Sequence, residues 1–169
     1  MRAFAQAGGS LSAEEPVEAF ERLAAERHPG EPLPVPLAWR ARAEMRTGLP
    51  GSQPAPWLHL EAEVTMPLTC QRCLGPVPVS LKVDRWYRFV ADEATAERED
   101  EDSEEDVLAL EPRPSLRVLV EDECLMALPL VPMHEACPAP VRLRDEPDDE
   151  QPQDRENPFA QLQRLRRGD

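Results

Sequence analysis

Apolar and polar residues alternate most clearly on either side of Cys70-Gln71-Arg72-Cys73. Before it, Leu58, Leu60, Ala62, Val64 and Met66 interleave with His59, Glu61, Glu63 and Thr65; after it, Val77, Val79, Leu81 and Val83 interleave with Pro78, Ser80, Lys82 and Asp84. A period of two predicts half-buried strands over 57–66 and 77–90. Gly75-Pro76 supplies turn chemistry between them, so the two thiols sit at a hairpin tip. A third strand is predicted from Trp39, Ala41, Ala43 and Met45 alternating with Arg40, Arg42, Glu44 and Arg46. Arg85 falls where an apolar residue is due, which reads as a β-bulge, with a functional arginine as the alternative. In an antiparallel meander of these strands, Arg40, Arg42 and Arg46 would lie beside Glu61 and Glu63, which would face Lys82 and Arg88. Such opposite-charge neighbours stabilise a sheet by roughly 0.2–1 kcal/mol each.

Helical spacing appears elsewhere. Residues 1–11 read as a loose lead-in. Ser12 with Glu15 fits a capping box before the stripe Val17, Phe20, Leu23, Ala24, which His28-Pro29-Gly30 stops. Pro32, Pro34 and Pro36 form an extended connector. Val107–Leu110 reads as a short fourth strand. A second helix opens at Ser115, burying Leu116, Leu119, Val120, Cys124, Ala127 and Leu128 and turning Arg117, Glu121, Asp122 and Glu123 outward. Cys124 on that stripe is a core residue rather than a ligand. The predicted fold is α+β: a small antiparallel β-meander with two packed helices over residues 1–137, interrupted by an acidic disordered loop at 91–106. Residues 138–156 read as a disordered linker. Residues 157–169 form a short amphipathic motif, with Asn157 as cap, Pro158 in the first turn, and Phe159, Leu162 and Leu165 on one face.

The 20 prolines and the 5% aromatic content limit the size of the core. No apolar run approaches the ~20 residues of a membrane span, and the first dozen residues lack a basic-then-apolar signal. A cytoplasmic setting follows, where four unevenly spaced cysteines favour metal or free thiols over disulfides. The net charge of −14 is concentrated: residues 91–111 hold 11 acidic side chains and one basic. A solvated loop is the ordinary explanation, and a nucleic-acid mimic that holds a basic partner is the sharper one. A chain this acidic is poorly suited to gripping phosphates non-specifically, because that affinity comes from cations.

Cys70 and Cys73 are spaced like half of a zinc knuckle, and His134 with Cys137 supplies a second half for a Cys3His zinc site. The alternative is a pair of unliganded thiols in a turn. A thioredoxin-like role wants the cysteines at a helix start, and here they join two strands. His28, His59 and His134 are scattered, and no G-x-S-x-G, HExxH or phosphate loop occurs. The expectation is a chain without catalysis, small-molecule substrate or membrane attachment.

CQRCLGPVPV at 70–79, the acidic run, LVEDECLMALPLVPMHEAC at 119–137 and ENPFAQLQRL at 156–165 together resemble the YceD family of large ribosomal RNA subunit accumulation proteins. The resemblance covers most of residues 35–165. It implies a non-enzymatic factor needed for accumulation of 23S ribosomal RNA, whose partner is a large-subunit precursor, met through a ribosomal protein, the RNA or both. Some relatives carry a second cysteine pair where this chain has His134 and Cys137. In the leading reading the acidic run and the helix face Glu121, Asp122 and Glu123 hold a basic ribosomal protein, while Asn157, Pro158, Phe159, Leu162 and Leu165 dock elsewhere on the precursor. The alternatives are an RNA-binding module using Arg40, Arg42, Arg46, Arg72 and Arg88 around a structural zinc, and a thiol redox or metal sensor.

Overall fold

The computed structural model describes residues 1–32, 36–47, 54–101, 103–110 and 115–137. The linker and tail expected at 138–169, including Asn157, Pro158, Phe159, Leu162 and Leu165, lie outside the described residues. Five strands form one sheet in sequence order: β1 (Ser10–Glu15), β2 (Leu37–Arg46), β3 (Ala55–Thr69), β4 (Pro76–Val90) and β5 (Asp106–Ala109). The helices are α1 (Arg2–Gln6), α2 (Glu21–Ala25), α3 (Glu93–Asp100) and α4 (Leu116–Met126). The architecture is α+β, as the patterning predicts. The first four strands are antiparallel, and β5 runs parallel to β4, so the sheet is mixed.

β3 and β4 are longer than the alternation suggests and pair without interruption from Trp57↔Arg88 to Thr69↔Pro76. One face of β3 buries Leu58, Leu60, Ala62, Val64, Met66 and Leu68. Full burial of such a side chain stabilises by about 1.5–3 kcal/mol, which locks the register, because a one-residue slip would turn every one of them to water. The core joins Val17, Phe20, Leu23, Leu37, Leu81, Tyr87, Phe89 and Val120 to that face.

Several expectations need correction. Residues 10–15 are a strand, not a helix start: Ser12 lies opposite Arg40, and the Trp39 indole N–H donates to Glu15 at 3.0 Å. Cross-strand pairing has overridden a capping pattern, leaving only a turn of 3-10 helix at Val17–Ala19 and the short α2, although Val17, Phe20 and Leu23 are buried as predicted. The lead-in contains α1, whose Ala5 enters the core. There is no bulge at Arg85, which pairs in register with Leu60 and approaches Glu123 at 3.5 Å and Asp106 at 3.7 Å. An arginine on the apolar face is tolerated there because a carboxylate of α4 meets it at the rim.

The acidic run, expected as a disordered loop, is also corrected. Parallel neighbours require a crossover, and α3 supplies one between β4 and β5. Asp92 caps it by accepting the Thr95 N–H at 2.9 Å. Arg88, expected beside Glu63, instead points at this segment and donates to Glu99 (2.6 Å), Glu105 (2.7 Å) and the Ser103 hydroxyl (2.8 Å). One largely enclosed guanidinium thus offsets the mutual repulsion that argued for disorder.

α4 lies on the core side of the sheet with its acidic positions rotated inward. Glu121 and Glu123, expected to face out, are 8% and 6% exposed. The Glu121 carboxylate accepts from the Arg22 side chain at 2.8 and 3.1 Å and from the Arg22 and Leu23 backbone N–H groups at 2.8 and 3.3 Å. Burial opposes its ionisation, but these donors outweigh burial and hold its pKa below the ordinary glutamate value. Asp122 stays accessible and pairs with Arg22 at 2.7 Å.

Arg88→Met should therefore cost about 2 kcal/mol by leaving Glu99 and Glu105 without their donor. Faster hydrogen exchange confined to α3 would check it. A depressed carboxylate pKa adds stability above the unfolded-state value of about 4.3, and that stability is lost as pH falls through the lower folded-state value. Glu121→Gln should flatten the acid limb of the stability curve below that pH, as measured by denaturant titration at a series of pH values.

Candidate metal centre

The β3–β4 turn brings two sulfurs inward. Leu74 takes a left-handed conformation (φ 60°), its N–H donates to the Cys70 carbonyl at 2.9 Å, and the Cys70 N–H donates to the Gly75 carbonyl at 2.9 Å. This closes a tight loop that aims Cys70 and Cys73 to one side. The segment after α4 crosses over that loop and is held by the Gln71 N–H donating to the Pro132 carbonyl at 2.9 Å. His28 anchors the adjoining strand end, through its backbone N–H to the Pro67 carbonyl (2.7 Å) and its Nδ1 at 3.0 Å from the Thr69 hydroxyl.

Cys70, Cys73, His134 and Cys137 converge as the spacing predicted, with all four donor atoms within 4.8 Å of one another. Cys70 Sγ lies 3.9 Å from Cys137 Sγ, and Cys73 Sγ lies 3.5 Å from His134 Nδ1. Sulfurs bound at about 2.3 Å to a tetrahedral ion stand about 3.8 Å apart, and a sulfur and an imidazole nitrogen slightly less. The cluster therefore fits a tetrahedral metal ion. All four positions are filled by protein donors, which is the pattern of a structural site. Cys70 is fully buried, and burial pushes its thiol pKa up. Backbone N–H groups of Cys73, His134 and Arg72, with the His134 side chain, more than reverse this and bring it to about 5. A thiolate is the ligand form. Burial and the neighbouring sulfurs Cys73 and Cys70 push Cys137 up. Cys124 is buried in the core, with its pKa pushed up to about 11 by burial and by Glu123 and Glu121.

The arginines of the RNA-binding alternative do not form one surface. Arg72 is exposed on the knuckle and Arg88 is enclosed by the α3 segment. Arg40, Arg42 and Arg46 share the face of the sheet turned away from the core, where Arg42 pairs with Glu61 at 3.0 Å and Arg46 with Glu44. Beside them is an aromatic group whose positions were legible as the polar phase of β3 and β4. His59 stacks on Trp86 (4.3 Å between centroids, 8° between planes) and reaches Asp84 at 2.6 Å. The Arg46 guanidinium lies 3.7 Å from the centre of the Trp86 ring, and Trp57 meets Trp86 edge-on at 6.4 Å. The Trp57 indole N–H is enclosed without an acceptor among the described residues.

Co2+ titrated into the full chain should give the visible bands of a tetrahedral thiolate site at one ion per chain. Cys73→Ser should weaken binding by about 100-fold or more, whereas Cys124→Ser should leave it unchanged.

No solved structure matches this chain. The family model described as the large ribosomal RNA subunit accumulation protein YceD matches residues 58–166. That span runs from β3 through the knuckle, α3 and α4 and covers more than half of the sequence, so the chain belongs to the YceD family.

Proposed function

We propose that this protein is a non-enzymatic factor for accumulation of 23S ribosomal RNA and for large-subunit biogenesis, acting by binding a basic assembly partner while a zinc ion braces its β3–β4 corner. The observation that carries the reading is the Cys3His cluster: its donors are all protein side chains, so the metal it fits holds the loop after α4 against the hairpin tip and leaves no position for a reacting molecule. Family membership supplies the ribosomal RNA context. Zinc suits three thiolates and one imidazole better than harder ions, which prefer oxygen ligands.

The charge supports a basic partner. With 33 acidic against 19 basic residues the chain repels phosphate and attracts cations over distances set by ionic strength. In and around α3 and α4, Glu99, Glu105, Glu121 and Glu123 are paired with Arg88, Arg22 and Arg85, while Glu93, Glu97, Glu101 and Glu104 remain exposed on and just after α3. Steering by that exposed charge raises the rate of encounter more than it fixes the contact. No described helix is long and apolar enough to cross a membrane, and residues 157–169 are the second element of the reading, as a docking peptide for the precursor.

Deleting residues 157–169 should lower co-sedimentation with large-subunit precursors by several-fold in sucrose gradients. Unchanged sedimentation would take the tail out of the reading.

A further inference from the structure

We infer that the face of the sheet turned away from the core is a docking surface for an extended, arginine-bearing segment of a protein partner. This rests on the reading of the chain as a binder of a basic assembly partner, and it names where that partner lies. Among the described residues, α1, α2 and α4 sit on the core side, and α3 reaches the opposite face only at its β4–β5 edge, where it encloses Arg88, so that face is left open along Glu14, Arg40, Glu63, Lys82 and Asp84. That face carries a groove of about 800 Å³ lined by Glu14, Arg40, Glu61, Glu63, Lys82 and Asp84. It crosses four strands, hence three strand spacings or about 14 Å, which is the reach of about four extended residues.

The chemistry of the groove selects its occupant. Four carboxylates face three cations there, Arg40, Arg42 and Lys82; Glu63 meets Lys82 at 3.2 Å and Asp84 meets His59 at 2.6 Å, yet the Glu63 and Asp84 side chains stay 61% and 76% exposed and within reach of a ligand. Arg42 is already matched by Glu61. RNA phosphates would meet net negative charge there, whereas guanidinium groups would meet complementary charge. The adjoining aromatic group shows how one such group sits: Arg46 is stacked on Trp86 with Glu44 at its Nε, a cation held by a ring face and a carboxylate together. Arginine suits this arrangement better than lysine, because its planar head can stack and donate at once. Two tryptophans and a histidine, partly exposed beside the groove, supply the large, rigid contact area that interface centres favour.

Fluorescence anisotropy of the full chain with a labelled peptide of alternating Arg and Ser, at low and moderate salt, tests the surface. Glu14→Gln/Glu63→Gln/Asp84→Asn should weaken binding by about tenfold, the sum of three modest exposed ion pairs. Arg40→Gln, which removes a groove cation, should tighten it. Glu97→Gln/Glu101→Gln/Glu104→Gln removes the same charge from the α3 segment and should have the smaller effect. Equal losses in the two triple variants, or tighter binding of oligo(U) RNA than of the peptide, would overturn the surface. If only the α3 variant loses affinity, the surface is wrong and the basic-partner reading stands. Failure of the peptide to bind at low salt would remove both.

Discussion

The convergence of three sulfurs and one imidazole at the tip of the longest hairpin is what the arrangement of the later chain depends on. The segment following α4 has little apolar burial to hold it, since Leu130 is fully exposed and Val131 and Met133 are about half exposed. Its tie to the sheet is the Gln71–Pro132 hydrogen bond and the approach of His134 and Cys137 to Cys73 and Cys70. A chain with few aromatics and many prolines cannot close every loop by hydrophobic contact. Metal-ligand chemistry concentrates comparable free energy in four side chains.

A second constraint is electrostatic. The chain is strongly acidic, yet three arginines each draw together two carboxylates distant in sequence: Arg22 with Glu121 and Asp122, Arg85 with Asp106 and Glu123, Arg88 with Glu99 and Glu105. These pairs join α2 to α4, β4 to α4 and β5, and β4 to the α3 segment. The half-exposed pairs add modest net stability, and the enclosed Arg88 pairs also penalise any arrangement that separates them. They therefore select one packing of short helices that have little intrinsic stability, α2 being only five residues long.

What remains outward is chemically uneven. The exposed acids on and after α3 set a long-range field, the open sheet face offers rings and carboxylates at close range, and the knuckle presents Leu74 at 70% exposure. This division suits the proposed recognition of a partner by surface complementarity, with the remaining charges used for folding.

Three strands, their inward faces and the pairing of Cys70-Cys73 with His134-Cys137 were determined by the sequence alone. Alternation over eight or more residues has one physical meaning, and ligand spacing constrains what two loops can do when they meet. The capping pattern at Ser12 and Glu15 misled because strand pairing with β2 and the Trp39–Glu15 hydrogen bond come from 22 or more residues away. The acidic run looked unfoldable because its counter-charge, Arg88, belongs to another strand. Glu121 and Glu123 looked solvent-facing because only the docked positions of Arg22 and Arg85 reveal that a buried carboxylate there has a partner. Local periodicity reports which side of an element is apolar. Which charges are satisfied inside is decided by contacts between distant segments, and these exist only once the chain has folded.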